Sequence, residues 1–278
     1  MSSPTWFVAY APIAALLGAI FGSFLNVCIA RWPKDESVVR PRSRCPGCGG
    51  GIAWYDNVPV VSWLLLRGRC RACRAPISWQ YPLVEAATAA LWVGALWLLG
   101  PTVVALRLAI VSTILLGVAV TDAQSYLIPD GFTLNGLAVA GIGAIAGAVL
   151  GEQLPFAGPW DAILGACTGA GAITIIGWLG EVALKKEAMG YGDATLMAFV
   201  GATVGPVRAL LCIFLGAAIA AASFLLVVYP IGWWRARRAG MAFEPPLVPF
   251  GVFLAPAALL TLLFGNALLG WYAGRMLG

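Results

Sequence analysis

Two aspartates occupy places where a carboxylate is costly. Asp122 closes a long apolar run in Val-Ala-Val-Thr-Asp-Ala-Gln-Ser-Tyr-Leu-Ile-Pro-Asp, and Asp193 opens another after Met-Gly-Tyr-Gly. The chain has only 12 acidic residues and no histidine, so acid–base work falls on very few groups. Ionisable side chains at membrane depth are expensive and usually functional. Two carboxylates brought together can share a proton, because like charges a few ångströms apart do not both ionise easily. One acid can then polarise a peptide carbonyl while one base activates water. Gly190 and Gly192 lack a Cβ beside the second acid and let a substrate backbone approach.

The ends of the helices suggest a division of labour. Asp193 lies near a helix N-terminus, where the dipole favours a carboxylate, and Asp122 near a C-terminus, where it opposes one. Asp193 is therefore expected to start as the base and Asp122 as the acid. Three further acids have competing roles. Asp130, after Pro129, suits an N-cap; Glu187, beside Lys185 and Lys186, is either solvated or a substrate contact; Glu85, just after Tyr81-Pro82 in an apolar run, needs a polar partner or a functional reason. Asp35, Glu36, Asp56, Glu152, Asp161, Glu181 and Glu244 read as ordinary loop or span-end charges.

The cysteines form a second centre. Cys45-Pro-Gly-Cys48 and Cys70-Arg-Ala-Cys73 are two C-x-x-C pairs separated by 21 residues, a spacing suited to a four-cysteine zinc site. Four thiolates leave no open position, so such an ion is structural and supplies folding energy to a segment with little core of its own. A redox dithiol and two structural disulfides are the alternatives, the latter disfavoured in a reducing compartment. Cys28, Cys167 and Cys212 lie in apolar runs and read as small buried hydrophobes.

These groups must be carried by membrane helices. The chain is 61% hydrophobic and 10% charged, with a mean hydropathy of +0.89, which excludes an ordinary soluble globule. In hydrocarbon every backbone polar group needs an internal partner, so long apolar runs become helices. The expected fold is an all-α transmembrane bundle of about eight spans: 6–30, 82–100, 102–121, 131–150, 160–184, 192–204, 206–229 and 247–271, the sixth being short. The first has no basic region ahead of it and reads as a retained span rather than a signal peptide. The domains expected are a first span (1–30), a cytoplasmic zinc-binding insert (31–81) and a catalytic bundle (82–278). Glycines such as Gly141, Gly143 and Gly147 are assigned to helix packing, and no internal repeat is evident.

Basic residues set the orientation. Nine of the 17 Lys and Arg lie between Arg31 and Arg74, and Lys185, Lys186, Arg235, Arg237 and Arg238 bring that side to 14. This side is cytoplasmic by the excess of positive charge. The N-terminus then lies outside and both aspartates at the cytoplasmic boundary. The net charge of +5 is orientation signal toward anionic lipid, and no nucleic-acid partner is expected.

At this point the chain resembles a known family. Gly-Ser-Phe-Leu-Asn-Val-Cys-Ile-Ala-Arg-Trp-Pro over 22–33, the paired cysteines, Asn-Val-Pro-Val-Val-Ser-Trp over 57–63, Tyr-Pro-Leu-Val-Glu over 81–85, Thr121-Asp122, Ile128-Pro129-Asp130, Lys-Glu-Ala-Met-Gly-Tyr-Gly-Asp over 186–193 and Pro249-Phe250-Gly251 occur in order. The pattern is similar to the type IV prepilin peptidases of bacterial pilus and type II secretion systems. The resemblance implies an inner-membrane aspartyl endopeptidase that cuts a short basic leader from prepilins and pseudopilins at the cytoplasmic face. It carries catalysis onto Asp122 and Asp193 and zinc onto Cys45, Cys48, Cys70 and Cys73. It also implies N-methylation of the new terminus with S-adenosylmethionine. No glycine-rich methyltransferase fingerprint accompanies it, and Glu85 and the insert are where that activity would be sought. A proton-coupled transporter using Asp122 and Asp193 as a relay is the main alternative. A membrane anchor for a zinc module leaves the carboxylates without a purpose. A presenilin-like protease shares Gly-x-Gly-Asp but not the cysteine insert.

Overall fold

The computed structural model describes residues 5–152, 154–185, 189–240, 243 and 248–276. All regular elements among them are helices: α1 (Thr5–Arg31), α2 (Val61–Leu65), α3 (Gln80–Leu99), α4 (Val103–Ser125), α5 (Asp130–Leu150), α6 (Pro159–Leu184), α7 (Tyr191–Val204), α8 (Pro206–Ser223), α9 (Tyr229–Ala239) and α10 (Gly251–Met276). Each expected span has its helix. Seven are long and apolar enough to cross a membrane, and α7 is not among them. Its 14 residues rise about 21 Å, short of the ~30 Å hydrocarbon layer. The chain forms two compact units, Met1–Gly117 and Val118–Gly278.

In the first unit, small residues let α1 and α3 touch backbone to backbone. A Cβ on Gly18 would fall 2.7 Å from the Ala89 Cα, and one on Gly22 2.7 Å from the Glu85 Cα. One further turn along α1, the Asn26 Nδ2 donates to the Tyr81 carbonyl at 3.0 Å. The first-span signature is thus a packing face. Phe21 stacks on Trp92 with ring centroids 4.8 Å apart, and the Trp92 Nε1 donates to the Thr113 Oγ1 of α4 at 3.0 Å.

The insert between α1 and α3 contains a duplication that inspection of the sequence overlooks. Its two knuckles repeat with an offset of 25: Ser43, Cys45, Cys48, Gly50 and Ile52 correspond to Gly68, Cys70, Cys73, Ala75 and Ile77. The Cys45 N–H donates to the Gly50 carbonyl at 2.9 Å and the Ile52 N–H to Ser43 at 2.9 Å; in the copy, Cys70 donates to Ala75 at 2.9 Å and Ile77 to Gly68 at 2.7 Å. At the turn the first knuckle has Gly49 at φ +69° and the second has Arg74 at φ +61°.

In the second unit α7 lies against α5 and α6. A Cβ on Gly165 would land on the Gly201 carbonyl, one on Gly201 on the Gly165 carbonyl, and one on Gly169 on the Met197 carbonyl. The two helices run antiparallel with no side chain between them at these points. Two more steps of the same register pair Ile173 with Asp193 and Gly177 with Met189. A Cβ on Gly177 would indeed meet the Met189 side chain at 3.2 Å. The face of α7 toward the bundle is sealed by Leu196, Met197 and Phe199, each 0% exposed. Phe199 packs on Gly136 of α5. At the far end, the Ala157 N–H donates to the Thr203 carbonyl at 2.9 Å, and Arg208 of α8 donates to the Pro155 carbonyl at 2.6 Å.

Helix α8 continues through a π-turn (Phe224–Val228) into α9. There the guanidinium of Arg238 stacks 3.6 Å above the Trp234 ring, and that of Arg237 lies 5.1 Å from Trp233. This is the aromatic and basic end that helices present to lipid headgroups.

Candidate functional site

The sequence distances between the site residues disappear at one end of the second unit, where α4 ends and α5, α7 and α10 begin. Asp122, in the last turn of α4, is 4% exposed. Its Oδ2 accepts the Val252 N–H of α10 at 3.1 Å. A Cβ on Gly251 would stand 2.9 Å from that same Oδ2, so only glycine lets the start of α10 come so near. Asp193, in the first turn of α7, is half-buried. Its Oδ2 accepts the Gly190 N–H at 3.3 Å, and its own N–H donates to the Gly190 carbonyl at 3.1 Å. The segments that hold the two carboxylates are both packed against Ile128 in the loop between α4 and α5.

The expected division of labour between the aspartates loses its basis here. Asp122 does end a helix, but the N-terminus of α10 also points at it through Val252. Both carboxylates therefore sit against N–H groups at helix starts, and the dipoles do not distinguish base from acid. The signal for this contact lay in Pro249-Phe250-Gly251, a proline–glycine entry to an apolar run; its partner, 130 residues away, was not readable.

The loop between α4 and α5 fills the space between these groups. A Cβ on Gly192 would meet the Ile128 Cβ at 2.9 Å and its carbonyl at 3.2 Å, and one on Gly251 would meet the Ile128 Cδ1 at 2.9 Å. Asp130 is not an N-cap: Pro129 holds that position, and Asp130 is the exposed first residue of α5. There its charge complements the helix dipole. Glu187 lies outside the described residues.

Glu85 belongs to the first unit and its partner is structural. Its Oε2 accepts the Val60 N–H at 2.6 Å. Val60 has φ 61° and ψ −51°, and the Val61 N–H closes a tight turn onto the Pro59 carbonyl at 2.6 Å. A β-branched residue there is strained, so the buried carboxylate helps hold the insert in an unfavourable turn. Beside it, a cavity of about 380 Å³ between α1 and the insert is lined by Ser23, Phe24, Arg31, Arg42, Asn57 and Pro59, among others.

The four insert thiols converge. The sulfurs of Cys45, Cys48, Cys70 and Cys73 all lie within 4.8 Å of one another, and Cys45 and Cys73 are 3.7 Å apart. A tetrahedral ion with Zn–S bonds of about 2.3 Å needs sulfurs about 3.8 Å apart, so the set fits zinc. None of the four is in a disulfide. Backbone N–H groups of Cys48 and Gly47 favour the Cys45 thiolate, while at Cys73, despite the Ala75 N–H, crowding by the other thiols disfavours ionisation; a metal would relieve that crowding by binding the thiolates.

The class that emerges is a multi-pass, all-helical membrane protein with a four-thiol module in its first unit and two buried or half-buried aspartates at helix ends in its second. Residues 16–99 match the Bacterial Peptidase A24 N-terminal domain and residues 108–226 the Type IV leader peptidase family. A prepilin leader peptidase/N-methyltransferase of Burkholderia pseudomallei (strain 1026b) is 39% identical over 278 residues, covering 91% of this chain and 85% of the relative. One from Aeromonas hydrophila is 34% identical over 296 residues, covering 96% and 95%. One from Myxococcus xanthus (strain DK1622) is 40% identical over 193 residues, covering 69% and 56%. No solved structure matches the chain. The chain belongs to the type IV leader peptidase family, and nothing in these comparisons supports the transporter.

Proposed function

We propose that this protein is an aspartyl endopeptidase that removes the leader of prepilins and pseudopilins and then methylates the exposed N-terminus. What supports the first activity is that Asp122 and Asp193 lie at the same end of the second unit, each accepting a backbone N–H, with Ile128 packed against the segments that hold both. One carboxylate takes a proton from water, whose oxygen attacks the scissile carbonyl, while the carboxyl of the other gives its proton to the carbonyl oxygen. Collapse of the tetrahedral intermediate passes a proton to the leaving amine. Gly190 leaves room for substrate backbone, whereas Gly192, expected to do the same, is closed off by the Ile128 side chain and carbonyl. Lys185 at the end of α6 and Arg235, Arg237 and Arg238 in α9 support a cytoplasmic, inner-membrane location for the cut.

Zinc on Cys45, Cys48, Cys70 and Cys73 has a structural role in this reading. The methyl donor, S-adenosylmethionine, supplies the methyl group when bound. The cavity beside α1 is of a size for such a ligand, and Arg31 or Arg42 would hold its carboxylate.

Both activities are tested in one assay. Purified protein in detergent is incubated with a prepilin, with and without S-adenosylmethionine, and the product is weighed by mass spectrometry. Wild type is expected to release the leader and, with donor, to add one methyl group. Asp122→Asn and Asp193→Asn are expected to leave the prepilin intact. Cleavage surviving in either variant rejects the pair.

A further inference from the structure

We infer that Ile128 is a positioning residue, a spacer whose side chain sets the relation between the backbone segments that hold the two aspartates. The inference rests on the aspartyl reading above. Ile128 sits in the short loop between α4 and α5 and is 8% exposed. Its Cβ and carbonyl abut Gly192, the residue before Asp193, and its Cδ1 abuts Gly251, the residue before the donor to Asp122. Both glycines are approached so closely that an added Cβ would stand 2.9 Å from an Ile128 atom. That is well inside ordinary carbon–carbon contact.

The two arms of the side chain have separate jobs. The β-branch keeps χ1 stiff and fixes the approach of the α7 start. The δ-methyl is the part that reaches α10, and through Gly251 and Val252 it limits where the N–H donor to Asp122 can stand. A closely packed interior transmits such displacements, and small misplacements of reacting groups are costly in turnover.

The test separates the arms. Ile128→Val keeps the branch against Gly192 and removes only the methyl against Gly251. It is expected to lower kcat about tenfold, with KM for prepilin changed less than about twofold and the melting temperature in detergent within a degree or two of wild type. Gly251→Ala places a methyl against both the Ile128 Cδ1 and the Asp122 Oδ2, and is expected to be more damaging. In the Ile128→Val background the same alanine occupies vacated space. The double variant is therefore expected to recover part of the activity lost by Gly251→Ala alone, a coupling that independent sites do not show.

An unchanged kcat in Ile128→Val, or losses that simply multiply in the double variant, overturns the spacer. So does a fall in kcat matched by a fall in melting temperature, since loosened packing alone then explains it. Each of these outcomes leaves the aspartyl reading standing if Asp122→Asn and Asp193→Asn abolish cleavage. Cleavage by those two variants removes that reading whatever Ile128 does.

Discussion

A single methyl at the crossing of α6 and α7 is expected to impair catalysis from a distance. In Gly165→Ala the new Cβ lands on the carbonyl of Gly201, and backbone cannot rotate out of the way. The helices must part by roughly an ångström to restore contact distance, and overpacking of this kind costs about 1–3 kcal/mol. The sealed face of α7 has little slack, since Leu196, Met197 and Phe199 are fully buried, so the displacement is passed along the helix toward Asp193. A misplacement of about 1 Å at a reacting group can cost on the order of 100-fold, and we expect kcat/KM to fall by about that factor. Gly171 supplies the control: it lies on the same helix, and a Cβ there meets nothing within 4 Å. Cleavage of a prepilin in detergent, with thermal melting of both variants, makes the comparison. If Gly165→Ala and Gly171→Ala cleave equally well, the backbone contact does not position Asp193 and the reasoning fails.

Two further outcomes follow from the first unit. In Cys48→Ser, one of four converging thiolates is lost, and the zinc content of the purified protein, measured by elemental mass spectrometry, is expected to fall well below equimolar while the insert becomes sensitive to limited proteolysis. Equimolar zinc in this variant would show that Cys48 is not a ligand. The Asp56 carboxyl is held below its ordinary value, first by its hydrogen bonds from Arg71 and then by that charge, with the Arg71 Nη2 at 2.6 Å. A depressed carboxyl contributes above its unfolded value of about 3.9 and loses that contribution as pH falls through the lower folded value. Asp56→Asn at neutral pH should therefore lower the protection factors over Trp54–Asn57, and acidification to that range should do the same once the slower intrinsic exchange is divided out. The effect should be small because Arg71 is solvent-exposed, and unchanged exchange in Asp56→Asn counts against the pair.

Much of this was readable from local pattern. Long apolar runs gave most of the helices to within a few residues, because hydrocarbon permits little else, though the seventh runs on through α9 to Ala239, and paired C-x-x-C spacing gave the thiol cluster. Relations that depend on three-dimensional register were not readable. The contact of Val252 with Asp122 joins helices 130 residues apart, and only the packing of α10 creates it. The cap of α5 moved by one residue because Pro129 already supplies a fixed φ at that boundary. The 25-residue duplication was hidden because its turns use different residues, Gly49 in one copy and Arg74 in the other, for the same backbone shape. Ile128 stood in one of the motifs that carry the resemblance, but nothing in its type announced that two glycines would close on it.

The register of α6 against α7 has a consequence for the substrate. Asp193 stands level with Ile173, whereas α6 continues 11 residues farther, to Leu184, a shoulder about 16 Å high. A polypeptide laid along that shoulder toward Asp193 has that height to cover. Stretched out at about 3.3 Å per residue, some five residues reach the bottom, whereas a leader kept coiled needs about twice as many. Extended chain therefore covers that height with about half as many residues as helix does.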